Sequence, residues 1–334
     1  MASAYDAIFV VSFGGPEGTD DVMPFLENVL RGRNVPRERM LGVAKHYELF
    51  GGVSPINRRN RKLIAALQQL LETKGPRLPI YFGNRNWHPL LADTLAKMRD
   101  DGVKNALAFV TSAYSSYSSC RQYLEDIERA RASVGTDAPR VEKLRAFYNH
   151  PGFIEANVAN IQEALAQVPE ERRITAQLVF TAHSIPESMA QRCDYEAQLR
   201  ETSKLIAAAV GRENWQLVFQ SRSGSPAQPW LGPDVCDYLR ELHTAGSKDV
   251  VVAPIGFVSD HLEIIYDLDT EATALCREFG LNMIRAATAG THPAFIEMIR
   301  ELILERINPE TPRRAVGTLG PRESVCQTGC CSPG

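Results

Sequence analysis

The sequence lacks the features of several common protein classes. Its 334 residues contain no apolar run of the roughly 18 residues that cross a bilayer, which predicts no membrane insertion. The N-terminal segment has neither a basic start nor the long apolar stretch of a signal peptide. The net charge is only -3, and no dense basic run occurs, so no nucleic-acid partner is indicated. We expect a cytoplasmic protein.

Cysteine is scarce and unevenly distributed. Seven cysteines are too few for a disulfide scaffold in a chain of this length, and in a reducing compartment they remain thiols or metal ligands. Cys193, Cys236 and Cys276 lie among helix-patterned residues, where a small buried hydrophobe is the simplest interpretation. The last nine residues contain three more, namely Cys326, Cys330 and Cys331.

Short apolar segments alternate with longer amphipathic patterns along most of the chain. Continuous apolar strands separated by such helices are typical of a parallel sheet covered on both faces, so the predicted fold class is α/β. The predicted strands are residues 7–11, 80–82, 106–111, 178–181, 215–220 and 249–255. The sequence contains no H-E-x-x-H, P-loop or Gly-rich dinucleotide fingerprint, which argues against zinc proteolysis, NTP hydrolysis and nicotinamide chemistry.

The pattern of strand and small-residue turn occurs twice, which predicts two similar Rossmann-like halves. The loop at residues 133–140 is rich in turn-forming residues, so the predicted units are residues 1–138, residues 139–308 and a Cys-rich tail at 309–334. The last helix of the second half is expected to pack on the first half. Because reactive groups gather beyond the carboxyl ends of parallel strands, the active site is predicted in the cleft between the halves.

One histidine and one acidic segment are the candidate reactive groups. His183 directly follows a predicted strand, where it either caps a turn or faces a ligand. In residues 259–269, Glu263 and Asp267 lie four apart, one helical turn from each other. Asp260 as a helix N-cap with Glu263 completing a capping box is one interpretation. Paired carboxylates beside His261 also suit a divalent metal or a proton relay.

Five motifs together resemble the ferrochelatase family, in the family's order and spacing, over roughly residues 5–310. They are VVSFGGPEG, FGGVSPIN with Ser54, LVFTAHSIP with His183, FQSRSGSPAQPWLGP with Trp230, and PIGFVSDHLEIIYDLD with His261 and Glu263. The resemblance implies two chelatase-type halves and insertion of Fe²⁺, the metal substrate, into a porphyrin held between them. It also implies a role in haem biosynthesis, with neighbouring haem-pathway enzymes as possible partners.

The resemblance assigns roles to the candidate residues. His183 and Glu263 are expected to be catalytic and to contact the entering Fe²⁺. Imidazole accepts protons near neutral pH, as a porphyrin that loses two N–H protons requires. Asp267 is expected to continue an acidic path for iron or protons, with Asp260 and His261 supporting the site.

Six residues match family positions around the porphyrin. Trp230 is expected to form a wall of the pocket, because flat aromatic surfaces bury a flat ligand well. The others are expected near the macrocycle or its propionates: Phe13, Ser54, Arg85, Tyr114 and Tyr117. Some relatives carry an iron-ligating side chain at the place of Phe13, and a phenyl ring cannot replace it.

The segment at residues 30–45 suggests which porphyrin binds. In membrane-associated relatives this lip is apolar, but here it contains Arg31, Arg33, Arg37, Arg39 and Lys45. A basic lip favours coproporphyrin III, with four propionates, over protoporphyrin IX, with two. The whole sequence also looks most like the actinobacterial branch of the family, a resemblance that implies coproporphyrin as the substrate. The alternatives are a protoporphyrin ferrochelatase, a cobalt or nickel chelatase, and a non-catalytic tetrapyrrole or iron carrier.

The tail cysteines predict a 2Fe-2S cluster. Such a cluster usually takes four thiolates, so the three tail cysteines need a fourth. Cys120 lies at the start of a predicted amphipathic helix, where the helix dipole favours the thiolate. It also matches the internal ligand of cluster-containing ferrochelatases. The predicted ligands are therefore Cys120, Cys326, Cys330 and Cys331, with a zinc-binding or redox-active tail as the alternative.

Overall fold

The chain forms two α/β units, each built on a four-stranded parallel sheet, in a computed structural model that describes residues 4–32, 35–223, 227–326 and 329–332. The predicted fold class is confirmed. The strands are β1 Ala7–Ser12, β2 Ile80–Asn84, β3 Asn105–Val110, β4 Arg140–Lys143, β5 Gln177–His183, β6 Trp215–Gln220, β7 Asp249–Ala253 and β8 Asn282–Arg285.

The helices fill the connections between these strands, and two of them are wide π-helices. In the first half they are α1 Thr19–Val29, α2 Arg37–Glu48, α3 Ile56–Lys74, α4 Leu91–Asp100, π1 Tyr117–Arg121, α5 Gln122–Val134 and α6 Pro151–Ala166. The remaining ones are α7 Glu170–Arg173, α8 Glu187–Ala190, α9 Tyr195–Ala209, α10 Val235–Thr244, α11 Leu262–Ile264, π2 Ile265–Ala272, α12 Thr273–Phe279 and α13 Pro293–Ile307.

The two sheets have the same strand order, β2-β1-β3-β4 and β6-β5-β7-β8. Ile8 and Val10 of β1 face one hydrophobic cluster, while Ala7, Phe9 and Val11 face another on the opposite side. Every residue of β1 is buried, as expected for a strand covered on both faces. This arrangement places the carboxyl ends of β1 and β5 at equivalent positions in the two halves.

The predicted join between the halves lies too early in the chain. Strand β4 follows residue 138 and pairs in parallel with β3, so it completes the first sheet. Neither β4 nor its counterpart β8 was among the predicted strands. Both are four-residue edge strands that begin and end with polar or charged residues, so neither carries a long apolar run that the sequence could reveal.

The helices that follow β4 and β8 each pack on the other half. In α13, Arg300 Nε donates to the Gly75 carbonyl at 2.7 Å, and Glu297 pairs with Lys74 of α3 at 2.9 Å. In α6, Asn160 Nδ2 donates to the Ala287 carbonyl at 3.0 Å, just beyond β8. This reciprocal packing joins the two halves. Among the described residues, no helix combines the length and apolar character needed to cross a bilayer.

Candidate active site

His183 is the last residue of β5, at the carboxyl edge of the second sheet. The following residue fixes the backbone there: the Ser184 N–H donates to the Gln220 carbonyl at 2.8 Å and its hydroxyl to the Leu231 carbonyl at 2.7 Å. His183 Nδ1 contacts the Ser184 carbonyl, which leaves Nε2 pointing away from the backbone. The side chain is 31% exposed, so a bound molecule can reach it.

Glu263 lies within reach of two imidazoles. Its Oε2 is 3.8 Å from His183 Nε2 and 3.7 Å from His261 Nδ1, and its side chain is 50% exposed. Burial lowers the pKa of His261, with His183 acting in the same direction and Glu263 opposing it. His261 is therefore favoured as the neutral imidazole, and its ring packs edge-on against Phe257 at 4.9 Å. The structure brings three predicted residues, from two separate segments, into one cluster.

The segment after Glu263 is a π-helix rather than the expected regular α-helix. Asp267 lies in it, and Gln220 Nε2 and the Ser221 hydroxyl both donate to its Oδ2. Burial raises the pKa of Asp267 to about 7, and the negative charge of Glu263 acts in the same direction. The carboxyl can therefore gain or lose a proton near neutral pH. π-Helical segments are rare in proteins and are frequently found at functional sites.

We expect Asp267→Asn to stabilise the protein at pH 8. A carboxyl whose pKa rises from 3.8 to about 7 on folding binds its proton more tightly in the folded state. The wild type therefore loses stability as the pH rises from about 4 to about 7, while the amide does not. The variant should gain about 1–3 kcal/mol at pH 8, and this gain should vanish near pH 4. Urea unfolding measured across that pH range tests the prediction, with exposed Glu278→Gln as the control. A gain that is equal at every pH would contradict it.

Asp260 does not cap the following helix. The N-cap of α11 is His261, and it forms no capping hydrogen bond through its side chain, so the capping-box interpretation is wrong. The Asp260 carboxylate instead pairs with Arg59 at 3.1 Å and with Arg285 at 3.2 Å. Arg59 belongs to α3 of the first half, so this buried carboxylate joins the halves beside the site. Nothing in the local sequence revealed these partners.

Further contacts between the halves lie along α11 and π2. The ring of Tyr266 stacks on His46 of α2, with centroids 3.8 Å apart and planes 9° from parallel. Leu262 packs into a hydrophobic cluster that includes Phe25 and Tyr47. Helices α1 and α2 therefore rest directly on the segment that carries Glu263. Sequence reasoning missed His46, because a lone histidine in a polar helix carries no distinctive signal.

Three of the residues expected at the porphyrin rim are buried in the first half. Tyr114 is 1% exposed and donates its hydroxyl to the Ile255 carbonyl at 3.0 Å. The Arg85 side chain is 5% exposed and pairs with Asp126 at 2.5 Å, under the ring of Tyr123. Ser54 is also buried, and a Cβ at Gly15 would lie only 2.6 Å from its Cβ. The structure does not present the side chains of Tyr114 and Arg85 as free donors to the cleft.

The other three rim residues are more accessible. Phe13 directly follows β1 and is 37% exposed, with its ring edge-on to Phe25. Trp230 forms an isolated bridge with Pro186, which places it beside the loop that follows His183. Its indole Nε1 is buried and has no hydrogen-bond partner. Tyr117 is half-buried and donates its hydroxyl to Glu125 at 3.0 Å.

The lip is basic on its exposed surface, as the sequence predicted. Arg31, Arg37, Arg39 and Lys45 are exposed. Arg39 also donates to the Ser223 carbonyl of the second half. The remaining basic residue of the lip, Arg33, lies outside the described residues.

The tail approaches Cys120 along the surface of the second half. The Val316 N–H donates to the Asn149 carbonyl at 2.9 Å, the Thr318 N–H to Glu201 at 2.6 Å, and Arg322 pairs with Asp194 at 2.7 Å. The tail has no helix or strand among its described residues, as expected. These contacts hold its backbone until it reaches Cys326.

The four predicted cluster cysteines lie at the end of this path. Cys120 is buried in π1, and a hydrogen bond with Cys326 lowers its pKa, with Lys143 and Arg322 acting in the same direction. Cys330 Sγ lies 3.6 Å from Cys331 Sγ. Across the described ranges, however, no three His, Cys, Asp or Glu side chains are placed so that they could hold a metal ion together.

Comparison with solved structures concerns the fold. SirB from Bacillus subtilis with Fe3+ superposes with a TM-score of 0.57 over 92% of this chain and 98% of its own, at 12% identity. The sirohydrochlorin chelatase SirB from B. subtilis subspecies spizizenii with cobalt gives a TM-score of 0.55 over 91% and 96%. At such identities the likeness concerns the fold alone, which is the two-half α/β fold of chelatases.

Comparison of sequences is more specific. The ferrochelatase family profile matches residues 5–307. A protein from Rhodopirellula baltica named ferrochelatase is 58% identical, over 98% of this chain and 93% of its own length. Proteins named coproporphyrin III ferrochelatase are 49% identical in Streptomyces coelicolor, over 99% and 94%, and 50% in Nocardia farcinica, over 99% and 97%. The chain belongs to the ferrochelatase family, as its five motifs predicted. The Rhodopirellula protein is more similar to it than these two actinobacterial ones.

Proposed function

We propose that the protein inserts Fe²⁺ into coproporphyrin III to give coproheme. The observation that carries this proposal is the contact of His183 Nε2 with Glu263 Oε2 at 3.8 Å, at the carboxyl edge of the second sheet. The reaction replaces two pyrrole N–H protons by one Fe²⁺, so the site must accept protons and attract a cation. An imidazole and a carboxylate at this separation supply both functions.

The residues of this pair and those around it have different proposed roles. His183 accepts pyrrole protons, and Glu263 provides the negative charge that draws the cation toward it. Asp267, whose pKa burial raises to about 7, can pass protons between the site and solvent. Asp260 and the first-half residue Arg59 hold the acidic segment against the opposite half through their 3.1 Å ion pair. Trp230 and Phe13 supply flat apolar surface for the macrocycle.

The basic lip supports coproporphyrin rather than protoporphyrin. The exposed cations on residues 30–45 can meet carboxylates at the rim of a bound porphyrin. Relatives at 49–50% identity over nearly the whole chain carry the name coproporphyrin III ferrochelatase. Tyr114 and Arg85 are buried, so the proposal assigns the propionates to the exposed cations of the lip instead.

We expect kcat/KM for coproporphyrin III to exceed that for protoporphyrin IX about tenfold. The two additional propionates of coproporphyrin III can form two more exposed ion pairs with the lip. At up to about 1 kcal/mol each, these pairs account for a preference of this size. Anaerobic metallation followed by the visible spectrum measures both substrates. An Arg37→Ala/Lys45→Ala variant should lose most of the preference, and Arg99→Ala, on a distant helix, should retain it. Equal or higher kcat/KM for protoporphyrin would contradict the assignment.

The four cysteines Cys120, Cys326, Cys330 and Cys331 are the proposed ligands of a 2Fe-2S cluster. The thiols lie as two close pairs, and a two-iron cluster takes four thiolates. The lowered pKa of Cys120, beside Lys143 and Arg322, favours the thiolate that binds metal. When bound, such a cluster supplies cross-linking of the tail and sensitivity to oxidants. Iron insertion is assigned to His183 and Glu263 and does not involve it.

We expect the anaerobically purified protein to be coloured and to contain about two irons and two acid-labile sulfides per chain. Cys120→Ser should remove most of both. The matched control is Cys276→Ser, a buried thiol in a separate hydrophobic cluster, which should retain them. A colourless wild-type protein without acid-labile sulfide, or one that contains zinc instead, would contradict the cluster.

A further inference from the structure

The first turns of helix α9 contact both the candidate base and the cysteine tail. Tyr195 is the first residue of α9, and its hydroxyl donates to the His183 backbone carbonyl at 3.0 Å. Resting on the proposed function, we infer that Tyr195 is a positioning residue for His183 and that the Asp194–Arg322 ion pair ties this residue to the docked tail. This assignment gives the tail an effect on metallation without contact with the porphyrin.

The His183 carbonyl lies where the sheet no longer restrains the backbone on one side. Pairing of β5 with β7 ends at Phe180, three residues before His183, whereas pairing with β6 continues to His183 itself. On that side, the Tyr195 hydroxyl of helix α9 donates to the His183 carbonyl in place of a neighbouring strand. Tyr195 is buried, and its ring packs edge-on against Tyr114 at 6.0 Å, which fixes where the hydroxyl can be.

The tail holds the same end of the helix. Asp194 directly precedes Tyr195 and pairs with Arg322 at 2.7 Å, four residues before Cys326. Two turns along α9, Glu201 accepts hydrogen bonds from the N–H of Thr318 at 2.6 Å and from its hydroxyl at 3.1 Å. Two separate tail contacts therefore restrain the helix whose first residue holds the His183 backbone.

The same helix also holds the loop that leads to Cys120. Gln198 accepts from the Ser115 N–H at 2.8 Å and donates to its hydroxyl at 3.1 Å, in a fully buried position. Ser116 then caps π1, which contains Cys120. The helix thus contacts His183, the tail and the approach to Cys120 on consecutive turns. A shift of the tail moves the element that sets the His183 backbone.

The position of His183 affects the rate of metallation more than it affects the affinity for porphyrin. The imidazole must lie correctly relative to the pyrrole protons and to Glu263, and misplacement by a fraction of an ångström is costly in a proton transfer. Porphyrin affinity depends on the apolar walls and the lip, which α9 does not contact through Tyr195. Loss of the hydroxyl should therefore lower kcat and leave KM for coproporphyrin unchanged.

The test measures kcat per porphyrin-binding site, so that a loss of folded protein does not count as a loss of rate. We expect Tyr195→Phe to lower kcat about tenfold, and Arg322→Ala about threefold, both with unchanged KM. The double variant should be no slower than Tyr195→Phe alone, because both changes act through one contact. Arg240→Ala is the matched control, since this exposed arginine pairs with Asp237 on its own helix, α10, and it should keep the wild-type rate.

Wild-type kcat in Tyr195→Phe would overturn the inference. A double variant whose loss of kcat equals the product of the two single losses would also overturn it. Neither result affects the proposed function as long as the wild-type protein inserts Fe²⁺. If Tyr195→Phe does not fold, the comparison of Arg322→Ala with Arg240→Ala is the test, and equal kcat in these two variants overturns the inference. A wild-type protein that binds coproporphyrin but inserts no Fe²⁺ would overturn the proposed function, and the inference with it.

Discussion

His183→Ala is expected to lower kcat for anaerobic Fe²⁺ insertion into coproporphyrin by about 10²- to 10⁴-fold, the usual contribution of a positioned general base. The variant removes the imidazole whose Nε2 lies 3.8 Å from Glu263, and with it the group that accepts the pyrrole protons. Porphyrin affinity, measured by quenching of porphyrin fluorescence, should change little, because the walls and the lip remain intact.

The control for His183→Ala is His88→Ala, which removes an exposed imidazole of the first half. It should insert iron at the wild-type rate. The comparison also separates an enzyme from a non-catalytic carrier on the same scaffold, since a carrier keeps its porphyrin affinity but needs neither His183 nor Glu263. A His183→Ala variant that binds porphyrin and metallates it at full rate would refute the catalytic assignment.

Glu263→Gln is expected to lower kcat by about 10²- to 10³-fold with little change in porphyrin affinity. The substitution preserves the shape of the side chain and removes the charge that attracts the cation and lies 3.7–3.8 Å from two imidazoles. Loss of that charge also weakens Fe²⁺ binding, so KM for iron should rise. Initial rates at several Fe²⁺ concentrations under anaerobic conditions separate the two effects.

Glu263→Asp provides an intermediate case, because it keeps the charge but withdraws it by one methylene. We expect its rate to fall between those of the wild type and Glu263→Gln. The matched control is Glu278→Gln, which removes an exposed carboxylate from α12 and should leave both kcat and KM for iron unchanged. Wild-type kinetics in Glu263→Gln would show that iron enters the porphyrin elsewhere.

The sequence predicted the apolar core of each half well. All six predicted strands exist, because each carries a continuous apolar run, and four of them are central strands that are covered on both faces. The edge strands β4 and β8 were missed for the converse reason, since each is only partly buried and carries charged residues. Missing β4 placed the join between the halves too early.

Part of the site was also accessible to sequence reasoning. The local sequence is enough to place His183 at the end of a strand and Glu263 in an acidic segment. Their contact at 3.8 Å depends on how β5 and α11 fold together, which the motif resemblance anticipated. The burial of Tyr114 and Arg85 could not be predicted from the sequence. A tyrosine or arginine near a motif gives the same sequence pattern whether its side chain faces the cleft or a buried partner.

The sequence alone determined the α/β class, the repeated halves, the ferrochelatase family and the residue types at the reactive centre, because periodicity and motif spacing are local properties of the chain. Only the tertiary structure decided which groups meet. The Asp260 carboxylate with Arg59 and Arg285, Tyr195 with the His183 carbonyl, and Arg322 with Asp194 all join residues from distant segments. Side-chain chemistry permits many such pairs, and the packing of helices on sheets selects those that form.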